Sequence, residues 1–342
     1  MCVKEKIMSK IAIIGVEEGV GREVLNLLAE EGKKRQDVVA LEPRSALGNM
    51  VSFGEEAEID VLSLDGYDFK GVSVAVFAVS AKVAKKYMPL AIKAGAKVVD
   101  ASGASAGEPD VPMVVAGIND EKSAVAERNM VAVPSAEVCQ MLIPLQKIHQ
   151  TYQVKRLVVS TYSSTSAYGR PGMDELFNQT RKIFMNDTLA DDQAVFHKQI
   201  AFNVIPHLGD FIGEETAAEW SFNTETKQVM GGNVKVHANC AVIPAFIGSA
   251  QFINVECAKE IDVSDARELI KKTNGVIVFD KQTDGGYVTL HDIQGENEIY
   301  VSRLRQDSSV ENGISFWCVA DNQRAAGAKN ILELCKLMTT QK

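Results

Sequence analysis

The feature that most constrains this chain is a repeated alternation of short apolar runs with helical periodicity across its first hundred residues. Ile11-Ala12-Ile13-Ile14-Gly15 is a continuous apolar run closed by glycine, followed by a helical pattern through Val24, Leu25, Leu27 and Leu28. Val38-Val39-Ala40-Leu41 and Val72-Ser73-Val74-Ala75-Val76-Phe77-Ala78 repeat the strand signal. A helix over 80–94 then leads into a fourth strand, Ala96-Lys97-Val98-Val99-Asp100. These are largely apolar strands alternating with helices. They predict a parallel, right-handed, doubly wound sheet of the dinucleotide-binding kind.

Composition narrows the class. The 342 residues suffice for two domains, and 46% apolar with 24% charged residues is ordinary for a folded soluble protein. No apolar run reaches the roughly 20 residues that span a bilayer, so no membrane role is expected. A net charge of −9 without any basic run argues against nucleic acid as a partner. The six cysteines, Cys2, Cys139, Cys240, Cys257, Cys318 and Cys335, lack the short paired spacing of a zinc site. They are expected to be thiols in a cytoplasmic protein with no metal. The first eight residues, too charged for a secretory signal, are expected to form a loose tail.

The turn Gly15-Val16-Glu17-Glu18-Gly19-Val20-Gly21 is where backbone amides at a helix start would meet a pyrophosphate. Two carboxylates at Glu17 and Glu18 oppose that. At an effective dielectric of about 20, like charges ~5 Å apart repel by roughly 3 kcal/mol. The same glutamates also suit the positive end of a helix, so their presence has a purely structural explanation.

These and later segments resemble the aspartate-semialdehyde dehydrogenase family, over nearly the whole chain from Ile11 to Met338. Asp100-Ala101-Ser102-Gly103-Ala104-Ser105-Ala106-Gly107-Glu108-Pro109-Asp110-Val111-Pro112 is similar in register to the family's Asp-Asn-Ser-Ser-Ala-Phe-Arg-x-Asp-Pro-Asp-Val-Pro. Glu219-Trp220-Ser221 resembles Glu-Trp-Lys, and Phe316-Trp317-Cys318-Val319-Ala320-Asp321-Asn322-Gln323-Arg324 resembles Trp-x-Val-x-Asp-Asn-x-Arg. The resemblance implies an N-terminal Rossmann-type doubly wound parallel sheet, 9–133 plus 322–342, and an α+β dimerisation domain, 134–321. It also implies a homodimer, formed through the second domain's sheet and the apolar strands after Lys235.

For the cofactor, the resemblance assigns Gly15, Gly19, Val20 and Gly21 to the phosphate turn, with Glu18 replacing its middle glycine. Arg44 and Ser45 would hold the 2′-phosphate of NADP, and Asn322 the nicotinamide carboxamide. Glu42 opposes such a phosphate. Asn119 and Glu219 stand at substrate positions.

Elsewhere the resemblance marks losses. In Val133-Pro134-Ser135-Ala136-Glu137-Val138-Cys139-Gln140-Met141, Ala136 takes the nucleophilic cysteine's place and Cys139 falls three residues late. Ser163 replaces a substrate glutamine, Val242 the substrate arginine and Ser249 the acid/base histidine. Ala106 stands for a phosphate-binding arginine and Ser221 for a lysine. Tyr168 is expected either to fill nicotinamide space or to lie on the surface.

The expected function is a non-catalytic homologue, most similar to the Usg-type paralogues that lack the cysteine, acting as a dimeric scaffold or binding protein with NADP binding weak or lost. The alternative is an active NADP-dependent oxidoreductase of amino-acid biosynthesis (lysine, threonine, methionine) using Cys139 as a displaced thiol. A small-molecule binding module is a third.

Local chemistry adds three expectations. Ser135 should cap the helix that contains Cys139, with Glu137 favourable in its first turn. The stretch from Val234 to Gln251 should form two strands paired to each other across a Pro and Gly turn. Tyr287-Val288-Thr289-Leu290 should add another strand.

Overall fold

The structure is a computed structural model that describes residues 10–44, 48–55, 57–124, 126–189 and 195–340. Cys2 and the expected N-terminal tail lie outside these residues. The chain divides into two compact units, 1–134 with 328–342, and 135–327.

The first unit opens with β1 (Lys10–Ile14), α1 (Gly19–Glu30), β2 (Val38–Glu42), β3 (Met50–Phe53) and β4 (Ala57–Ser63). It continues through β5 (Val72–Phe77), α2 (Ala81–Lys93), β6 (Lys97–Asp100), the short α3 (Glu121–Ala124) and β7 (Met130–Ala132). Its seven-stranded sheet runs β3-β4-β2-β1-β5-β6-β7. Every pairing is parallel except β3 with β4. Burial accounts for the apolar runs: Ala12, Ile13, Ile14, Val74, Ala75 and Val76 are fully enclosed. The helix Lys329–Thr340 returns to this unit, where Leu334, Cys335 and Met338 join the same core as Val24 and Leu28 of α1. The order of strands reverses between β1 and β5, so the turns after β1 and β2 stand at the carboxyl edge where such sheets bind ligands.

Two glycines of the first turn are sterically required. Gly15 has φ of +94°, and a side chain there would bring a Cβ within 2.2 Å of the Ala78 carbonyl oxygen. A Cβ on Gly21 would meet the Gly15 oxygen at 1.9 Å, so α1 can seat against β1 only without one.

The second unit consists of α4 (Ala136–Tyr152), β8 (Val154–Ser163), α5 (Gly169–Phe184), a hairpin of β9 (Phe211–Ile212) and β10 (Glu215–Thr216), and α6 (Ala217–Met230). It goes on with β11 (Lys235–Val242), β12 (Ser249–Cys257), α7 (Val263–Lys271), β13 (Val276–Val278), β14 (Ile299–Asp307) and β15 (Gly313–Ala320). Its six-stranded sheet runs β11-β8-β12-β15-β14-β13.

Two expectations are corrected here. β11 and β12 are both strands but do not pair with each other; β8 lies between them, parallel to β11 and antiparallel to β12. Alternation marks a pleated, half-buried segment and says nothing about which strand lies beside it. Tyr287–Leu290 is irregular, and its main chain serves side chains instead: Val288 N–H donates to Ser302 Oγ, and the Val288 carbonyl accepts from Trp317 Nε1.

The glycine geometry yields a stability test. Gly21→Ala should cost about 3 kcal/mol through forced displacement of α1, whereas Gly19→Ala meets no neighbouring atom and should cost only ~1 kcal/mol for its positive φ. Chemical denaturation of the two variants measures the difference, and equal losses would contradict the packing account.

Candidate functional site

In the first unit the phosphate turn is backed by β1 and β2. Gly15 N–H donates to the Leu41 carbonyl at 2.9 Å, which fixes the start of the turn. Glu18 sits extended at the N-cap of α1, and its side chain makes no cap bond. The turn does have an acceptor, and it comes from the chain itself. Glu42, the last residue of β2, accepts on Oε1 from Val16 N–H at 2.5 Å and Glu17 N–H at 2.9 Å. Burial raises the Glu42 pKa, the two amide donors oppose that, and repulsion from Glu17 and Glu18 adds to it. Glu17 in turn accepts from Asn49 Nδ2 at 2.8 Å.

The residues therefore fit parts of a dinucleotide unequally. Gly15, Gly19, Val20 and Gly21 hold the tight turn and open helix start that a pyrophosphate needs. A 2′-phosphate finds Glu42 beside the turn, an exposed Arg44 two residues on, and Ser45, which lies outside the described residues.

The loop after β6 is organised by Asp100. Its Oδ1 accepts from the Ser102 amide and hydroxyl, and its Oδ2 from those of Ser105. Ala106, which the resemblance sets at the phosphate arginine's position, is exposed. Arg128 is engaged with Glu108 and Asp110. Asn119 is buried and spends its amide on its own loop, accepting from Val115 N–H and donating to the Met113 carbonyl, both at 3.0 Å.

In the second unit the positions of interest fall in adjacent rows across the sheet. Val242, Ser163, Ser249 and Ala320 are mutual neighbours on β11, β8, β12 and β15; Cys240, Thr161, Gln251 and Cys318 form the next row. Both rows are buried; α4 packs over β12 and β15, whereas Val242 on β11 joins Leu176, Phe196 and Ile205. Ser163 Oγ donates to Glu137 Oε1 at 2.5 Å, and the Ser249 hydroxyl faces the same carboxyl. Gln251 Nε2 donates to the Glu137 carbonyl at 2.9 Å. One turn on, Gln140 Nε2 donates to the carbonyls of Ser249 and Cys318. Burial raises the Glu137 pKa, with the two serines opposing.

Ser135 occupies the N-cap position of α4 without capping it. Its amide and hydroxyl both donate to Glu225 Oε2 on α6, at 2.8 and 2.9 Å, which corrects the expected role. Burial pushes the Glu225 pKa up to about 7.

Cys139 is wholly buried on the inner face of α4, and burial together with the nearby Glu225 charge raises its pKa far above the range of a usable thiolate. Cys240, Cys318 and Cys335 are each pushed up to about 12, again by burial, and Cys257 to about 11. None of these described cysteines is in a disulfide.

Glu219 closes a capping box with Thr216 and accepts from Cys240 N–H at 3.1 Å. Partial burial pushes its carboxyl up, but those donors outweigh it and hold the pKa below the ordinary value. Asn322 Oδ1 accepts from Ser166 Oγ at 3.1 Å and Gly248 N–H at 3.2 Å. Tyr168 is neither a bare surface aromatic nor loose: its ring packs edge-on against Phe196, centroids 4.9 Å apart, and its hydroxyl accepts from Gly209 N–H.

Three carboxyl groups escaped the sequence reading in these roles: Glu42 as an acceptor in the turn, Glu137 against two serines, and Glu225 beneath Ser135. The available signal was a pair of small polar residues, Ser163 and Ser249, accompanying a glutamate at the start of an otherwise apolar helix. Among the described residues no cluster of three or more His, Cys, Asp or Glu side chains could hold a metal ion, and no helix is long and apolar enough to cross a membrane.

The fold is that of the semialdehyde dehydrogenase class. Family models match residues 10–126 as "Semialdehyde dehydrogenase, NAD binding domain" and 145–325 as "Semialdehyde dehydrogenase, dimerisation domain". The chain is similar to aspartate-semialdehyde dehydrogenase of Aquifex aeolicus, 33% identical over 97% of this chain and 98% of that protein. It is also similar to that of Rickettsia bellii, 32% identical over 95% and 96% of the two chains. Among solved structures, aspartate semialdehyde dehydrogenase II of Vibrio cholerae complexed with ASA superimposes with a TM-score of 0.91 at 29% identity, covering 97% of this chain and 98% of that one. This chain belongs to the aspartate-semialdehyde dehydrogenase family.

Glu225 gives the site a measurable pH dependence. Its pKa is raised from 4.5 in the unfolded chain to about 7 in the fold, so its contribution is complete below pH 4.5 and is lost as pH rises through about 7. Allowing for its residual exposure, wild type should lose on the order of 2 kcal/mol relative to Glu225→Gln between those limits. Urea melts of both proteins across that range check this, and parallel pH profiles would contradict it.

Proposed function

We propose that this protein is a non-catalytic member of its family, of the Usg-type kind that lacks the cysteine, kept as a dimeric scaffold or binding protein with NADP binding weak or lost. The observation that carries the reading is the Glu137 carboxyl, hydrogen-bonded by Ser163 and faced by Ser249. By resemblance these serines stand where the family has a substrate glutamine and the acid/base histidine. Two long functional side chains are replaced by short ones, and a longer side chain from α4 takes up their polar contacts.

The reaction implied by the family resemblance needs a thiolate to attack an aldehyde, a base to move protons and a cation to orient a carboxylate. Ala136 offers no nucleophile, Ser249 no base near neutral pH, and Val242 no charge. The burial of Cys139 and its raised pKa weigh against a displaced thiol. Loss of nucleophile and base together removes roughly six orders of magnitude from kcat in enzymes where both have been deleted.

A homodimer is supported by the family's dimerisation domain and by the apolar side chains that the second unit leaves uncovered. Phe184 is 76% exposed, Phe211 68% and Phe202 63%. Phe202 also holds a left-handed backbone, φ 59°, while its ring stays edge-on to Phe184. Large exposed aromatics of this kind mark contact surfaces more often than bare ones.

Pure protein mixed with aspartate semialdehyde, inorganic phosphate and NADP+ should form no NADPH above the rate without protein. Formation that is abolished in Cys139→Ala would overturn the reading in favour of the displaced thiol. Formation that survives that variant would overturn it in favour of another nucleophile.

A further inference from the structure

The turn after β1 is arranged differently from a site for a phosphorylated ribose. Glu42 ends β2, directly beside β1 in the sheet, and its Oε1 is held by the Val16 and Glu17 amides at 2.5 and 2.9 Å. Two donors on one oxygen fix the orientation of the carboxylate and leave Oε2 as an acceptor on the edge where the strands end. In doubly wound nucleotide folds an acidic group at this place accepts hydrogen bonds from the hydroxyls of the adenosine ribose. A phosphate on the 2′ position would instead bring its negative charge against Glu42, with Glu17 and Glu18 close enough for Glu42 to feel both. The described residues provide one nearby cation after β2, the exposed Arg44.

We propose that Glu42 is a specificity-determining residue, and that the nucleotide accepted by the first unit is one with an unmodified ribose diol, NAD+, in preference to NADP+. Glu42 Oε2 accepts from the diol, the amides of Val16 and Glu17 position the carboxylate, and the helix start at Gly19-Val20-Gly21 faces the pyrophosphate. The inference deepens the proposed function: it rests on the first unit having kept a nucleotide site while the second lost its reactive groups. It also replaces the expectation that Arg44 and Ser45 select NADP.

The test is calorimetric titration of the full-length protein with NAD+ and with NADP+, which differ only in the 2′-phosphate. NAD+ should bind at least about tenfold more tightly, and Glu42→Gln, which keeps the size and removes the charge, should narrow that ratio to about threefold or less. Glu42→Asp, which keeps the charge but withdraws it from the turn, should weaken NAD+ without improving NADP+; it serves as the second variant should Glu42→Gln lose its thermal transition. Equal or tighter binding of NADP+ by the wild type would overturn the proposal. So would the absence of saturable binding by either nucleotide, or an unchanged ratio in Glu42→Gln. These results are separable from the non-catalytic reading, which fails only on turnover of aldehyde and phosphate with either nucleotide.

Discussion

The placement of α4 on the sheet of the second unit depends on a buried carboxyl that must find donors. Glu137 cannot be enclosed as a bare charge; it has to be neutralised, hydrogen-bonded or both. Ser163 supplies a hydroxyl and Ser249 faces the carboxyl; Gln251 on β12 donates to the Glu137 carbonyl of the helix, and the Gln140 side chain donates to the carbonyls of Ser249 on β12 and Cys318 on β15. The set is complementary in volume as well as polarity. Restoring a long side chain at either serine while Glu137 remains would overfill the layer. Removing Glu137 alone would leave the Ser163 hydroxyl without its acceptor in a buried row.

A related arrangement recurs in the first unit, which has its own core and its own sheet. There the Glu42 carboxylate accepts from two amides of a turn that nucleotide-binding proteins reserve for their ligand. In both units a carboxyl group of the chain accepts from the chain itself, Glu42 from two amides and Glu137 from the Ser163 hydroxyl. The surroundings differ. Glu137 is enclosed with Ser163 and Ser249, whereas Glu42 is held by one oxygen at the edge of its sheet.

Much of the architecture was legible because burial and period leave strong marks: the fully apolar strands from Ile11 to Asp100 read directly as a parallel sheet. Gly15 and Gly21 were recognisable as turn residues, and the structure shows what a side chain at each would strike. Strand partners were not legible. Val234–Val242 alternates as any half-buried strand does, and only the long β8 placed elsewhere in the chain determines that it lies against β8 and not β12. The polar contacts were hidden for a similar reason. Ser163 lies 26 residues from Glu137, and Ser135 lies 90 from Glu225, so local rules offered helix capping for Ser135 and a favourable helix dipole for Glu137. Cys139 was correctly placed inside an apolar helix, but its complete enclosure and its raised pKa emerge only from the packed second unit.

Restoring the family's thiol by Ala136→Cys separates a reactive centre that lacks only its nucleophile from one that has been rebuilt around Glu137. Its alkylation by iodoacetamide, followed against pH, together with turnover of aspartate semialdehyde, phosphate and NADP+, would decide between them. A rebuilt centre predicts a thiol at the start of α4 that iodoacetamide alkylates but that supports no turnover, because Ser249 and Val242 stand where the family resemblance puts the base and the cation. A depressed thiol pKa accompanied by NADPH formation would contradict the account, since it would mean that the surrounding groups still perform the chemistry.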